Sequence, residues 1–552
     1  MSDFILIDNS DPRFETVKKG FNLRWPESGK DADAVYVCQT ASDVLKAANT
    51  ALANNQRITV RSGGHCYEGF VSNKLSGEES TPLAIIDLGL MVGMEYSAEG
   101  NISSPYDPDV NYQFRAATGN QNWDGYVSLY KLTNCTVPGG SCYSVGSGGH
   151  VTGGGYGLLS RLHGLTVDWL SGIDILVPET DGKSLVAKHV NLNSTGTDRE
   201  LFIACRGGGG GNFGIILNYY YAALPPAPQQ VYLLSLAYPW SSFSTKEQFG
   251  QFLKAYWQWF STHDSEWNSS DPTLANGGLF SLLKLQHRST GDIHLLVQYT
   301  GSDGRVDGTG QAAPFNDFVA TMNNAAGITP SVVETGMRYG AIGTAVKKRP
   351  FRDAASDARL MDWLYATQTL NGSGDNQRGK YKSVYHVANF GDTEITALWD
   401  NLNGADDPLL NQALVQIDSY GGCINTNNET TNPTAVFQRR SLLKSQFQVY
   451  WTKPENDAHC ISWMQKLYTA YFADQGGKPY ADDGHYQGCY INYPDVDMKY
   501  TAADHATEDP QWMTLYYGDK AATLVATKQA VDPKNLFRNE MSVPLTMPGD
   551  GS

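Results

Sequence analysis

The sequence of 552 residues lacks several features that mark particular classes of protein. It has no stretch of about 18 apolar residues, which a membrane-spanning helix requires, and its first residues lack the basic and apolar parts of a signal peptide. Positive charge is scarce, because 41 Lys and Arg stand against 57 Asp and Glu, a formal net charge of −16. We therefore expect neither nucleic acid nor a membrane as a partner, and a cytoplasmic location by default.

Several motifs of common enzyme classes are also missing. The eight cysteines include no Cys-x-x-Cys pair, and no metal site is predicted. The metalloprotease H-E-x-x-H, the hydrolase G-x-S-x-G and the P-loop are all absent, so a zinc- or nucleotide-dependent transferase has almost no support. Residues 209–214 match G-x-G-x-x-G, but a β-branched run follows them instead of a helix. That context is wrong for a dinucleotide site of the Rossmann type.

Glycine, in contrast, is abundant, with 56 residues concentrated in a few loops. One loop spans residues 60–69 and contains His65; the other spans 138–157 and contains Cys142. Backbone without Cβ atoms can approach a phosphate group or a flat ring system closely. A lone His or Cys in such a loop is usually structural, but a nucleophile in each loop favours another interpretation. We interpret the pair as a flavin cradle with two covalent tethers.

Hydrophobic patterns place these loops between regular elements. We predict strands at 34–38, 58–60, 83–88, 167–177 and 215–221, and helices at 41–54 and 123–132. The proline cluster at 224–228 suggests a domain boundary. Beyond it, strands at 231–237, 294–299 and 447–451 alternate with helices at 246–259, 313–326 and 458–472. Two more helices are predicted at 509–518 and 519–530.

The motifs together resemble one family. They are Arg61-Ser62-Gly63-Gly64-His65, the run from Cys142 to Gly157, the glycine run at 206–215, Tyr490-Ile491-Asn492-Tyr493 and residues 537–544. At these points the chain resembles the berberine-bridge-enzyme-like branch of the vanillyl-alcohol-oxidase flavoproteins. Residues 137–146 and 161–172 most resemble the hexose oxidases of that branch, including those that act on lipoglycopeptides.

The resemblance implies an α+β fold with a PCMH-type FAD-binding domain in two parts. These parts would be residues 1–225 and 490–552. Residues 226–489 would form a substrate-binding domain, an antiparallel sheet covered by helices on one side.

The resemblance also implies how FAD is held. His65 would bond the flavin 8α-methyl carbon and Cys142 ring carbon C6, since imidazole and thiolate are suitable nucleophiles. His150 would hydrogen-bond the flavin, and a small Val145 accompanies reaction with O2 in relatives. The other implied cofactor contacts are Arg61, Ser62, Gly63, Gly64, Gly148, Gly149, Gly155 and Asn492.

Four residues are candidates for catalysis by the same resemblance. Tyr490 would be the general base, Tyr67 would lie beside it, and Tyr156 would bind the reacting oxygen. A free Tyr titrates near pH 10, so Tyr490 needs help to act near neutrality. Asp418 occupies the place where relatives have an acidic or amide partner for the base.

These residues predict a carbohydrate oxidase that converts the C1 hydroxyl of a hexose or oligosaccharide to a lactone and O2 to H2O2. Candidates for stacking on the sugar are Trp257, Trp259, Tyr385 and Trp451. A tailoring oxidase acting on a glycosylated peptide or polyketide alcohol is the nearest alternative, and a flavin-storage protein without turnover is another. Either a monomer or a homodimer is compatible with the sequence.

Overall fold

The computed structural model describes residues 4–306, 310, 312–334, 347–369, 375–502 and 504–549. Its strands are β1 (Ile5–Asp8), β2 (Ala34–Val37), β3 (Arg57–Arg61), β4 (Leu83–Asp87), β5 (Met94–Tyr96), β6 (Ile102–Ser104), β7 (Asp107–Tyr112), β8 (Phe114–Ala117), β9 (Leu170–Pro178), β10 (Leu185–Asn191), β11 (Ile215–Tyr221), β12 (Gln230–Pro239), β13 (Leu279–Gln286), β14 (Asp292–Tyr299), β15 (Ser331–Val333), β16 (Lys348–Pro350), β17 (Arg359–Asp362), β18 (Arg378–His386), β19 (Ala413–Ser419) and β20 (Leu443–Trp451).

The α-helices of the same residues are α1 (Phe14–Val17), α2 (Ala41–Ala53), α3 (Asn122–Thr133), α4 (Ser147–Thr152), α5 (Ser160–His163), α6 (Thr166–Trp169), α7 (Gly196–Ala204), α8 (Lys246–His263), α9 (Ala313–Ala326), α10 (Ala354–Asp357), α11 (Trp363–Thr369), α12 (Asp392–Leu402), α13 (Asp457–Tyr471), α14 (Trp512–Tyr517) and α15 (Ala521–Val531).

The first sheet has the order β1-β2-β4-β3, with β2, β4 and β3 parallel. Helix α2 packs on it through Val44 and three buried alanines, and its N-cap is Thr40, whose Oγ1 accepts the Asp43 N–H at 3.2 Å. Strand β3 ends at Arg61, immediately before the first glycine loop. The loop therefore lies at the carboxyl end of parallel strands, where ligand sites form in α/β sheets.

The second sheet is antiparallel, with the order β10-β9-β11-β8-β5. One predicted strand begins three residues late. Residues 166–169 form the helical turn α6, and β9 begins only at Leu170. The turn is favoured because Asp168 Oδ2 accepts the N–H of Leu165 at 2.8 Å, an interaction that alternation of apolar residues does not reveal.

The third sheet is the largest among the described residues, with the order β16-β15-β12-β14-β13-β19-β20-β18 and β17 paired to β12. Its pairings are antiparallel. Helices α8 and α13 cover one face, where the Tyr256 hydroxyl lies 2.7 Å from Ser281 Oγ and the Tyr468 hydroxyl donates to Ser383 O at 2.8 Å. The predicted helix-covered antiparallel sheet is confirmed, and its other face is left for the site.

The C-terminal segment packs against the first part of the chain. Lys528 Nζ donates to the carbonyl of Asn212 at 2.7 Å, and the Tyr517 hydroxyl donates to that of Gly208 at 3.0 Å. This packing agrees with a two-part first domain, although the boundaries at 225/226 and 489/490 stay predictions. Within the described ranges, no helix combines the length and apolar character needed to cross a membrane.

Candidate active site

A cavity of about 460 Å³ lies where the glycine loops meet the uncovered face of the large sheet. Both loops predicted to hold FAD line it, and so do Tyr490 and Asn492 of the C-terminal segment. The third glycine run, Gly209–Gly211, lines it as well. This run, which is among the motifs of the family resemblance, therefore belongs to the same cavity as the two loops.

The two glycine loops touch backbone to backbone. A Cβ atom on Gly63 would lie 2.2 Å from the amide nitrogen of Gly146, and one on Gly146 would lie 2.2 Å from that of Gly63. Because real Cβ atoms do not approach so closely, only glycine permits this contact. The contact brings the loop of His65 and the loop of Cys142 together at one wall of the cavity.

The two predicted tethering residues both line the cavity. His65 stacks on Phe21 at 4.4 Å between ring centres, and its Nε2 lies 3.1 Å from Ser144 Oγ of the second loop. Burial lowers the pKa of His65 to about 4, so its imidazole is neutral and nucleophilic at neutral pH. Cys142 forms no disulfide, and neither does any of the other seven cysteines, all of which the structure describes.

The glycine-lined wall leaves backbone open to the cavity, as a closely bound cofactor requires. A Cβ on Gly149 would meet no protein atom within 4 Å, so its Cα faces the cavity, where a side chain would occupy ligand space. The N–H of Gly148 is used by Thr118 O at 3.0 Å. Gly155 alone of the predicted cofactor contacts does not line the cavity; it packs on Thr166, with φ +73°.

The tautomer of His150 follows from its hydrogen bond. Its Nε2 accepts the backbone N–H of Gly140 at 3.0 Å, so Nε2 carries no proton. Burial, together with the charge of Lys444, lowers the pKa of His150 to about 4. The ring is therefore neutral with its proton on Nδ1, a donor suited to a flavin or ribityl oxygen.

Tyr490 has donors aimed at its hydroxyl oxygen. Asn492 Nδ2 donates to it at 3.0 Å. Burial raises the pKa of Tyr490 to about 12, while Asn492 and the backbone N–H groups of Tyr156 and Gly155 act to lower it. Such donors stabilise a phenolate more than a phenol. The amide predicted only as a cofactor contact thus also supports the predicted base.

Lys444 is a functional candidate that our sequence analysis missed. Its fully buried ammonium lies 3.9 Å from the ring centre of Tyr156, 5.2 Å from that of Tyr490 and 3.3 Å from the hydroxyl of Tyr493. A cation above aromatic faces stabilises negative charge on those rings. The Tyr156 hydroxyl itself donates to the carbonyl of Ser419, so it is the Tyr156 ring that faces the lysine.

Asp418 contacts the lysine and not the predicted base. Its Oδ2 lies 3.0 Å from Lys444 Nζ, and its Oδ1 accepts Gln416 Nε2 at 2.8 Å. Burial raises the pKa of Asp418 and the ammonium of Lys444 opposes that rise. The carboxylate therefore acts first as the counter-ion of Lys444, and its partnership with Tyr490 stays a prediction.

Tyr67 lies in an aromatic stack beside the cavity. It stacks on Tyr381 at 3.6 Å with an interplanar angle of 8°, and its ring centre is 5.8 Å from that of Tyr493. Gln446 Nε2 is 3.4 Å from its hydroxyl. Burial raises the pKa of Tyr67 well above the ordinary value, so it serves better as a neutral donor than as a base.

The polar face of the large sheet is the other feature that we missed. Alternate residues of β13, β19 and β20 point into the cavity: Lys284, Gln286, Gln416, Asp418, Gln446 and Gln448. The sequence signal for these residues is a polar side chain at every second position of a strand, as in Leu443-Lys444-Ser445-Gln446-Phe447-Gln448. Such a pattern indicates a strand with one polar face. The predicted stacking residues Trp257, Trp259, Tyr385 and Trp451 do not line this cavity.

A cavity lined by glycine loops and by buried tyrosines suits an FAD-linked oxidoreductase, and comparison with known proteins agrees. The family model described as "Berberine and berberine like" matches residues 489–544. The chain is 34% identical to hexose oxidase of Chondrus crispus, covering 97% of this chain and 94% of that protein. The chain belongs to the berberine-bridge-enzyme-like family of FAD-linked oxidoreductases.

Two further relatives show how varied that family is. Aclacinomycin-N/aclacinomycin-A oxidase of Streptomyces galilaeus is 33% identical, covering 98% of this chain and 89% of that protein. The solved structure of the glycopeptide hexose oxidase DBV29 with teicoplanin superposes with a TM-score of 0.80 at 26% identity, covering 98% of this chain and 99% of that one. The predicted α+β fold of the PCMH type is thereby confirmed, and the storage-protein alternative is set aside.

Proposed function

We propose that the protein oxidises the anomeric C1 hydroxyl of a sugar to a lactone, with Tyr490 as the base. The observation that carries this proposal is the Tyr490 hydroxyl in the cavity, held 3.0 Å from Asn492 Nδ2 opposite a sheet face rich in amides. Amide and ammonium groups suit sugar hydroxyls, which both donate and accept hydrogen bonds. The named activity of the relative from Chondrus crispus supports the same substrate class.

The chain supplies proton transfer and orientation. Tyr490 takes the C1 hydroxyl proton, and Asn492 stabilises the phenolate form of the base. Lys444 stabilises negative charge on the neighbouring rings, while Tyr67 and Gln446 orient the sugar. Bound FAD would accept the hydride from C1 and pass both electrons to O2. Val145 lines the cavity as a small side chain beside Cys142, in agreement with access for O2.

The covalent tethers are part of the proposal. His65 is neutral and Cys142 lies in the adjoining loop, and the fact that both line the cavity supports attachment of one ring through both residues. Acid-precipitated protein should be yellow. His65→Ala should stay yellow through the remaining tether, and the His65→Ala/Cys142→Ala pair should give a white pellet. A white pellet from the unmodified protein would contradict covalent attachment.

The activity itself is tested by following H2O2 with free hexoses and cellobiose. Turnover of at least one of these sugars is expected, and Tyr490→Phe should abolish bleaching of the flavin by that sugar. Unchanged bleaching in Tyr490→Phe would overturn the assignment of the base. Exclusion of oxygen should leave the bleached flavin reduced, which separates O2 reduction from sugar oxidation.

A second candidate is the tailoring of a glycosylated natural product, in agreement with the named activity of the Streptomyces relative. A specific observation favours it. Beside the main cavity lies a recess of about 970 Å³, lined by Trp123, Tyr143 and Tyr365, and Thr369 borders both spaces. The recess has room for an aglycone. Activity with glycosylated peptides or polyketides but with none of the free sugars would select this candidate.

A further inference from the structure

The uncovered face of the large sheet is ordered in rows that the strand registers define. In one row Leu282 of β13 pairs with Asp418 of β19, which pairs with Lys444 of β20. In the next row Lys284 pairs with Gln416, which pairs with Gln446. Neighbouring strands are about 4.8 Å apart and same-face rows about 7 Å apart. The row that contains Lys444 thus lies beside Tyr490, and the row that contains Lys284 lies further along the strands.

Most polar side chains of this face already satisfy one another. Asp418 is paired with Lys444 and accepts from Gln416. Gln448 Nε2 donates to Gln446 Oε1 at 2.8 Å, and the Tyr450 hydroxyl donates to Gln448 Oε1 at 2.8 Å. These side chains already have hydrogen-bond partners within the protein, so they do not need a ligand to satisfy them.

Two neighbouring groups on β13 differ from the others. Lys284 is half-buried, lines the cavity, and makes no hydrogen bond or ion pair with any described residue. Gln286, two residues further along, is 5% exposed, and its Oε1 has no partner among the described residues. His294, opposite Lys284 on β14, is 3.9 Å from Asp292 instead. A cation and an acceptor side by side therefore face the cavity unsatisfied.

The chemistry of this pair identifies what it would bind. An ammonium that faces a cavity without an ion pair is incompletely compensated, and a carboxylate is the ligand that compensates it best. The acceptor oxygen of Gln286 can take a hydrogen bond from an O–H donor beside that carboxylate. A sugar acid provides both, a carboxylate on C5 and a ring hydroxyl next to it. A neutral hexose would leave Lys284 without an ion pair.

We propose that Lys284 and Gln286 form an anion subsite, and that the substrate of this oxidase is an acidic sugar of the uronic-acid type. The proposal rests on the proposed oxidation at C1. In the reaction, the C1–H bond is lost as a hydride equivalent and the C1 hydroxyl loses a proton; the two electrons and two protons reduce O2 to H2O2, and the lactone of the sugar diacid forms. The carboxylate at C5 is a binding group and does not react.

Burial lowers the pKa of Lys284, and the charge of Asp418 opposes that change. A carboxylate bound at the subsite would favour the charged form further, so substrate and lysine stabilise each other. A surface lysine would gain less from a bound carboxylate, because solvent already stabilises its charge.

The test compares glucose with glucuronic acid and galactose with galacturonic acid, by H2O2 release from the holoenzyme. We expect kcat/KM at least 10-fold higher for each acid than for its neutral parent. Lys284→Met should remove that preference through KM, lowering kcat/KM at least 10-fold more for each acid than for its neutral parent, and Lys284→Arg should retain most of it. Lys254→Met, on the exposed part of α8, is the matched control. Equal kcat/KM for acid and parent, or equal losses for both in Lys284→Met, would overturn the subsite.

A binding measurement separates this proposal from the proposed function. Methyl β-glucuronide has no free anomeric hydroxyl, so it can bind but cannot be oxidised at C1. It should perturb the flavin absorption spectrum of the unmodified protein and not that of Lys284→Met, whereas methyl β-glucoside should perturb neither at the same concentration. That result without turnover of any sugar would support the subsite and refute oxidation at C1. No perturbation by the glucuronide would refute the subsite.

Discussion

The ammonium nitrogen of Lys444 lies 3.9 Å from the centre of the Tyr156 ring and 3.0 Å from a carboxylate oxygen of Asp418. The lysine thus joins a buried counter-ion to the aromatic cluster around the predicted base. Its position on β20 follows from strand alternation, which places Lys444 on the same sheet face as the cavity-lining Gln446 and directs Phe447 to helix α13. The large sheet therefore contributes charge as well as polar side chains that line the cavity.

Replacing Lys444 with methionine should impair catalysis. A desolvated cation–π contact is worth about 2 kcal/mol, so we expect kcat/KM to fall by at least about 10-fold and the pH profile to move to higher pH. Lys444→Arg keeps the charge and should lose less. Because Lys444→Met leaves Asp418 buried without its counter-ion, the Lys444→Met/Asp418→Asn pair serves as the folded reference. If Lys444→Met had the same pH profile as the unmodified protein, the electrostatic role of Lys444 would be refuted.

Replacing Asn492 with leucine tests the donor at the Tyr490 hydroxyl. The hydrogen bond favours the phenolate and lowers the pKa of Tyr490, so its loss should raise that pKa. Each unit of rise reduces the phenolate fraction at neutral pH about 10-fold, and kcat/KM should fall by a similar factor. The loss should diminish as the pH increases. Asn492→Ser retains a donor and is the control; a loss independent of pH would point to misfolding or to cofactor loss.

The sequence predicted those parts of the molecule that local pattern determines. Helix 41–54 and strand 58–60 are confirmed within two residues at each end, and the loops of His65 and Cys142 do meet at one cavity. The pairing of Asp418 was beyond local pattern, because β19 and β20 bring Lys444 opposite it only when the sheet forms. The same long-range pairing places Gln446 near Tyr67, residues that are 379 positions apart.

Two glycine variants separate folding from cofactor binding. Gly63→Ala would place a Cβ 2.2 Å from Gly146 N, so it should prevent the loops from packing and lower the melting temperature by several degrees. Gly149→Ala meets no protein atom within 4 Å, so it should leave the fold intact. Because Gly149 faces the cavity, its variant should still lose flavin. The measurements are thermal unfolding and the flavin-to-protein ratio; equal melting temperatures for both variants would contradict the loop contact.

A buried ion network behind the tyrosine stack should contribute strongly to stability. Lys380 Nζ lies 2.9 Å from Glu68 and 2.6 Å from Asp495, and all three side chains are buried. Glu68 follows Tyr67, and Lys380 precedes Tyr381. The network therefore holds the backbone that carries the stacked rings of Tyr67 and Tyr381. Removing one partner of a buried ion pair typically costs about 3–5 kcal/mol.

Asp495→Asn should therefore lower the free energy of unfolding by about 3 kcal/mol in urea denaturation. The exposed pair of Lys254 and Asp392 is the control, and Asp392→Asn should change the free energy of unfolding by less than about 1 kcal/mol.

The network also predicts a pH dependence of stability. Although burial opposes the change, Lys382 and Lys380 lower the pKa of Asp497 well below its ordinary value. The contribution of Asp497 to the free energy of unfolding is then complete above about pH 4, the pKa of Asp in the unfolded chain. It decreases as the pH falls below that value. Stability that stays constant between pH 5 and pH 2 would show that the network contributes nothing.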